Sequence, residues 1–200
     1  MADNSALIRQ VRQALGARSI VMVGMMGCGK SAIGRRLAGA VELRFIDADD
    51  EIEKAAGMSI NEIFQQLGEQ HFRDGERRVI ARLLTSGPQV LSTGGGAFMS
   101  EETRQRIREA GVSVWLQAEL PLLMRRVMRR DNRPLLKTHN PEARMRELLD
   151  LRNPIYAEAD ITVESREVAH EVIVGEILQK LAQHLASTPP TGAQPTGQHT

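Results

Sequence analysis

The chain has 200 residues, 42% apolar and 26% charged, which suffices for the core of one globular domain and argues against a second full one. Its formal net charge of +1 supplies no global field for nucleic acid or a membrane surface, although arginine, suited to bidentate carboxylate and phosphate contacts, provides most of the 26 cations. A lone cysteine, Cys28, excludes an intramolecular disulfide, and with no leader-like N-terminus and no apolar run of about 20 residues the expectation is a cytoplasmic protein.

Residues 1–18 carry Leu7, Ile8, Val11, Ala14 and Leu15 at helical spacing, with Asn4 or Ser5 as a cap and Gly16 as a stop, so a short amphipathic helix precedes the fold. The β-branched run from Ser19 to Gly24 reads as a strand. It leads into Gly24-Met25-Met26-Gly27-Cys28-Gly29-Lys30-Ser31, which fits GxxxxGK[ST], and a helical pattern begins near Ala32. In that setting the glycines let backbone N–H groups turn inward around a polyphosphate. Lys30 reaches the β- and γ-phosphates, Ser31 ligates Mg²⁺, and the helix points its positive end at the anion. Cys28, so close to a helix N-terminus, reads either as an activated thiol whose alkylation blocks the nucleotide or as an inert small filler.

Further short apolar runs at 44–47, 90–92, 112–116 and 161–163 alternate with helical patterns. Strands interleaved with crossovers predict an α/β fold with a parallel sheet covered on both faces and ligands at the carboxyl ends of the strands. The second strand ends in Phe45-Ile46-Asp47-Ala48-Asp49-Asp50. If it stays extended, Asp47 and Asp49 share a side, where one carboxylate can hold hydrated Mg²⁺ and the other can accept from a hydroxyl or take its proton. The competing reading is an acidic turn capping a helix at 51–56, to which Asp50 is assigned.

Arg73 and Glu76 lie three residues apart on one helical face, either as a carboxylate-binding arginine oriented by Glu76 or as a surface ion pair. The strand at 90–92 runs into Gly94, Gly95 and Gly96, whose bare backbone reads as a second site facing the phosphate loop. From Arg125 to Arg133 five arginines occupy nine residues and end at Pro134, a segment able to close over a triphosphate with Arg133 as the phosphate contact. A nucleic-acid patch or a solvated basic face fits the same cluster. Arg152 ends a long helix, where a cation also complements the dipole. Residues 187–200, rich in proline and without apolar periodicity, read as a disordered tail.

Together GMMGCGKS, FIDAD, FRDGE, STGGGA, RPLL and RNPIYAEAD stand in the order and spacing of the shikimate kinases, a resemblance spanning roughly residues 19–180. It implies a three-layer α/β/α P-loop kinase fold with a five-stranded parallel sheet in the order 2-3-1-4-5, in one domain over about 19–186. A substrate-binding segment at about 48–78 and a mobile lid at about 126–140 are implied with it. The implied reaction moves the γ-phosphate of ATP to the 3-hydroxyl of shikimate, on the route to chorismate and the aromatic amino acids.

Carried over by the resemblance, Asp49 meets ring hydroxyls and is the candidate base, Arg73 and Arg152 hold the carboxylate, and Gly95 with Gly94 and Gly96 meets a hydroxyl. ATP falls on Gly27, Cys28, Gly29, Lys30, Ser31 and Ala32, with Arg126 packing on adenine and Arg133 closing on the phosphates; Lys30 and Arg133 carry the transferring group. Ser31 ligates Mg²⁺ and Asp47 acts through water. Ala32 stands where many relatives have Thr, and the loop from Ser165 to Ala169 sits where the family completes the adenine pocket. A monomer with no nucleic-acid or membrane partner is expected. The rival readings are a gluconate kinase on the same fold and a nucleotide-dependent RNA-binding module.

Overall fold

The computed structural model describes residues 5–128 and 139–187. Five short aliphatic strands form one parallel sheet: β1 (Ser19–Val23), β2 (Phe45–Asp47), β3 (Val90–Ser92), β4 (Gly111–Gln117) and β5 (Ile161–Glu164), in the order β2-β3-β1-β4-β5. Ile20 lies opposite Val90 on one side and Val112 on the other, and Phe45 pairs with Val90 at the edge. Among the described residues the helices are α1 (Ser5–Leu15), α2 (Lys30–Ala40), α3 (Ala48–Ala56), α4 (Ile60–Gln66), α5 (Gly68–Leu84), α6 (Glu101–Ala110), α7 (Leu120–Val127), α8 (Pro141–Tyr156) and α9 (His170–Ser187).

Every side chain of β1 is buried, as a central parallel strand with helices on both faces requires. Ile20 and Met22 join Val11, Leu37, Ile177 and Leu181 on one face. Val21 and Val23 join Ile52, Ile80, Ile107 and Tyr156 on the other. The N-terminal helix α1 packs on α9 and buries Val11 and Leu15 in the first of these layers. It stops at Gly16, whose φ of +60° suits the left-handed turn, and the Arg18 guanidinium donates to the helix-end carbonyls of Ala14 and Leu15.

Observed strand boundaries fall within a residue of those expected. One local expectation fails. The backbone after β2 does not stay extended, because α3 begins at Ala48 rather than at Glu51: Asp47 is its N-cap, its Oδ1 accepting from the Asp49 N–H at 3.1 Å. Asp50 accordingly sits in the first turn and not at the cap. Most of the expected lid, including Arg133, and the tail beyond Ser187 lie outside the described residues.

The carboxyl ends of β1, β2, β3 and β5 open on the same edge of the sheet. There the order reverses around β1, the switch point at which open α/β sheets form a crevice.

Candidate active site

Between β1 and α2 the chain turns through Gly24, Gly27 and Gly29 at φ of +135°, +84° and +104°. A side chain at Gly24 would stand 2.7 Å from the carbonyl oxygen of Leu116, so that position requires glycine on two counts. Lys30 is buried, and its ammonium curls back under the loop to donate to the carbonyls of Gly24 at 2.8 Å and Met25 at 3.0 Å. Ser31 donates to Asp47 Oδ2 at 2.6 Å, and its Oγ lies 3.4 Å from that of Ser92 at the end of β3. Capping α3 with one oxygen and accepting from Ser31 with the other, Asp47 ties the second strand to the loop.

Two cavities meet at this point. One, of about 360 Å³, runs along Gly27, Gly29, Lys30, Ser31 and Ala32 to Arg126 and Ser165. The other, of about 630 Å³, is lined by Arg73, Glu76, Gly94, Gly95, Gly96 and Arg152. Met26, Ser31, Ala32, Asp47, Asp49 and Gly95 border both. Asp47 and Asp49 therefore reach the same place from a strand end and a first helical turn, not by the extended alternation their spacing suggested.

The glycine turn after β3 is packed on all sides. A methyl group on Gly94 would lie 2.5 Å from Glu76 Oε1 and 3.0 Å from Asp49 Oδ1, and one on Gly96 would overlap the guanidinium of Arg73. Gly95 sits against the phosphate loop, where an added Cβ would be 3.2 Å from the Met26 nitrogen. Its carbonyl accepts from Arg152 Nη1 at 3.0 Å and from the Tyr156 hydroxyl. Tyr156 in turn stacks on Trp115 and Phe98, so a buried aromatic group supports the turn from the core.

Arg73 and Glu76 form neither a plain surface pair nor an isolated one. Arg73 Nη1 donates to Glu76 Oε2 at 2.8 Å and Nη2 to Glu69 Oε1 at 3.0 Å, while Cζ lies 5.0 Å from the centroid of the Phe72 ring. Glu76 is only 2% exposed, and its Oε1 has no hydrogen-bond partner among the described residues. Burial pushes its carboxyl above the ordinary range, against the opposing pull of Arg73 and Arg152. Burial likewise raises the phenol of Tyr156, which stays a neutral donor.

Arg126 lies at the phosphate loop, its Nη1 3.3 Å from the carbonyl of Cys28 and 3.0 Å from Ser165 Oγ. Cys28 is fully buried, with Sγ 3.8 Å from Lys30 Nζ, so the loop must open before its thiol can react. Arg166 falls in the loop from Ser165 to Ala169 that the resemblance assigned to the adenine pocket, whereas sequence reasoning missed Ser92 and His170 in the wall of the smaller cavity and Tyr156 as the support behind Gly95. Ser92, inside the STGGGA string, and Tyr156, inside the RNPIY string, carried a signal that could have found them; His170 is an isolated polar residue with no motif of its own.

A glycine loop that ends β1, a lysine and a serine opening α2, and an adjoining pocket with two fixed arginines define a P-loop kinase. The sequence model of the family described as shikimate kinase matches residues 26–182. A shikimate kinase of Bradyrhizobium diazoefficiens is 59% identical over 184 residues, covering 90% of this chain and 89% of that protein; one of Rhodopseudomonas palustris is 56% identical over 189 residues, covering 94% and 93%. Among solved structures, a shikimate kinase from Acinetobacter baumannii in complex with shikimate superposes with a TM-score of 0.82 at 37% identity, covering 86% of this chain and 97% of the other. The chain belongs to the shikimate kinase family.

Proposed function

We propose that the chain transfers the γ-phosphate of ATP to the 3-hydroxyl of shikimate. The observation that carries this reading is the pair of cavities bordered in common by Ser31, Asp47, Asp49 and Gly95, with the phosphate loop in one and Arg73 and Arg152 in the other. A donor phosphate on the loop and an acceptor hydroxyl at Asp49 then meet where the two cavities share their border, the arrangement in-line transfer needs. The name of the closely similar relatives, and the shikimate bound to the structural neighbour, support the choice of acceptor.

In this reading Lys30 leaves the carbonyls of Gly24 and Met25 for the β- and γ-phosphates, trading two neutral acceptors for a charged one. The amides of the loop and the N-terminus of α2 hold the remaining oxygens. Arg73 and Arg152 bind the acceptor's carboxylate, with Glu76 and Glu69 fixing the plane of Arg73. Asp49 orients the attacking hydroxyl and receives its proton as the new P–O bond forms and the bond to ADP breaks.

Mg²⁺ fits the residues present. Among the described residues no three His, Cys, Asp or Glu side chains cluster as a cage for a metal, whereas Ser31 Oγ and Asp47 Oδ2, 2.6 Å apart, offer hard oxygen at the loop. That suits a cation whose other ligands are phosphate and water. Ser31 would ligate it and Asp47 would hold one of its waters; bound there, it neutralises charge on the β- and γ-phosphates.

The test is coupled ADP release with shikimate, gluconate, nucleoside monophosphates and RNA offered in parallel, with and without EDTA. Turnover on shikimate alone, abolished by EDTA, is the expected result. Absence of turnover on shikimate, or hydrolysis stimulated by RNA, would overturn the proposal.

A further inference from the structure

Ser165 is the first residue after β5, is 5% exposed, and carries a hydroxyl with a fixed set of partners. Oγ donates to the carbonyl oxygen of Cys28 at 2.6 Å and accepts from Arg126 Nη1 at 3.0 Å. The same Nη1 stands 3.3 Å from the Cys28 carbonyl and 3.4 Å from that of Gly27. The residue is anchored in its own right, its N–H donating to the carbonyl of Gln117 at 2.6 Å beyond the end of the β4–β5 ladder. A buried hydroxyl on a rigid strand end thus grips the outer rim of the phosphate loop.

The carbonyl it grips belongs to the Cys28–Gly29 peptide. A trans peptide is planar, with its C=O and N–H pointing in opposite directions. Tethering the oxygen outward therefore turns the Gly29 N–H toward the concave side of the loop, where an anion is received. Gly29 has φ of +104° and no side chain, so its own preferences do little to fix that orientation. A Cβ built there would lie 3.7 Å from Arg126 Nη1 and 3.9 Å from Ser165 Oγ, which places both groups at contact distance behind the glycine.

We infer that Ser165 is a positioning residue for the phosphates of the nucleotide, acting through the Cys28 carbonyl rather than by contact with the base. The inference rests on reading the loop as the ATP site. Arg126 thereby gains a second role, since one edge of its guanidinium holds the tether in place, whatever its face packs against. The tether joins the loop to β5 and α7 at a single hydroxyl, so a change at either element reaches the phosphates.

The experiment compares Ser165→Ala, Ser165→Thr and the nearly isosteric Ser165→Cys, whose thiol is a weak donor. Affinities for ADP and for inorganic tripolyphosphate are measured by calorimetry, with KM for ATP and for shikimate beside them. Ser165→Ala is expected to weaken ADP and tripolyphosphate by the same factor, about 2- to 13-fold, the range of one lost hydrogen bond. KM for ATP rises with it and KM for shikimate stays put; Ser165→Thr restores wild-type binding and Ser165→Cys falls between. Wild-type tripolyphosphate affinity in Ser165→Ala would overturn the inference, since it would move the role to the base. Failure of Ser165→Thr to rescue would overturn it in favour of packing, and should Ser165→Ala not fold, the Cys variant decides by the same measure. Because binding is read apart from turnover, a wild-type chain that held ADP yet left shikimate untouched would sink the assigned reaction while the tripolyphosphate result still judged the tether.

Discussion

The guanidinium of Arg73 lies against the backbone of Gly96 so closely that a methyl group on that glycine would overlap Nη1, Cζ and Nη2. Glu76 and Glu69 hold the arginine by two ion pairs, so that it cannot move far from the glycine without breaking one. Gly96→Ala is therefore expected to displace Arg73 and lower kcat/KM for shikimate on the order of 10- to 100-fold, the scale of an ångström misplacement. KM for ATP should hold within about twofold, because the loop contacts are untouched. Equal losses for both substrates would mean that the turn, and not the arginine, was disturbed.

Asp49 stands where both cavities meet, beside Gly94. Asp49→Asn keeps the shape and removes the proton acceptor, and kcat should fall about 10²- to 10⁴-fold if proton transfer is coupled to phosphoryl transfer. Turnover close to that of wild type would leave Asp49 an orienting group only. KM for shikimate, read from the same assay, separates lost binding from lost chemistry.

Burial raises the carboxyl of Glu76 above its ordinary 4.5, so the folded chain binds this proton more tightly than the unfolded one. The stability it contributes is fully present below 4.5 and is lost as pH rises through the raised folded value. Glu76→Gln removes the titration, and its stability relative to wild type should improve as pH rises above 4.5, followed by urea unfolding at a series of pH values. A relative loss with rising pH would show that Arg73 and Arg152 outweigh burial.

Cys28 has no exposed surface, and its sulfur lies beneath Gly24 and near Lys30. Iodoacetamide should label the native chain at least about tenfold more slowly than the urea-unfolded chain, and a bound nucleotide should slow it further by holding the loop shut. Fast native labelling, followed by mass spectrometry, would mean that the loop opens freely.

Much of this could be read along the chain. Alternating strands and helices gave the fold class, and Gly24 to Ser31 announced its own chemistry because a phosphate cradle needs glycines, lysine and serine in one short run. Where the sequence misled, the reason was local competition: Asp47 prefers to cap a helix, and α3 began three residues early, so the two aspartates converge by a bend and not by strand alternation. Contacts such as Tyr156 and Ser165 to the carbonyls of Gly95 and Cys28 join residues 61 and 137 positions apart and leave no periodic trace.

Gly95 packs against the nitrogen of Met26, main chain against main chain, at the border the two pockets share. The gap that a phosphoryl group must cross is thereby set by sheet geometry. Substitutions on α4 and α5 can reshape what the acceptor pocket admits while the crossing distance stays as it was. The enclosure is modular: its donor half and acceptor half are free to diverge, and their spacing is inherited with the sheet.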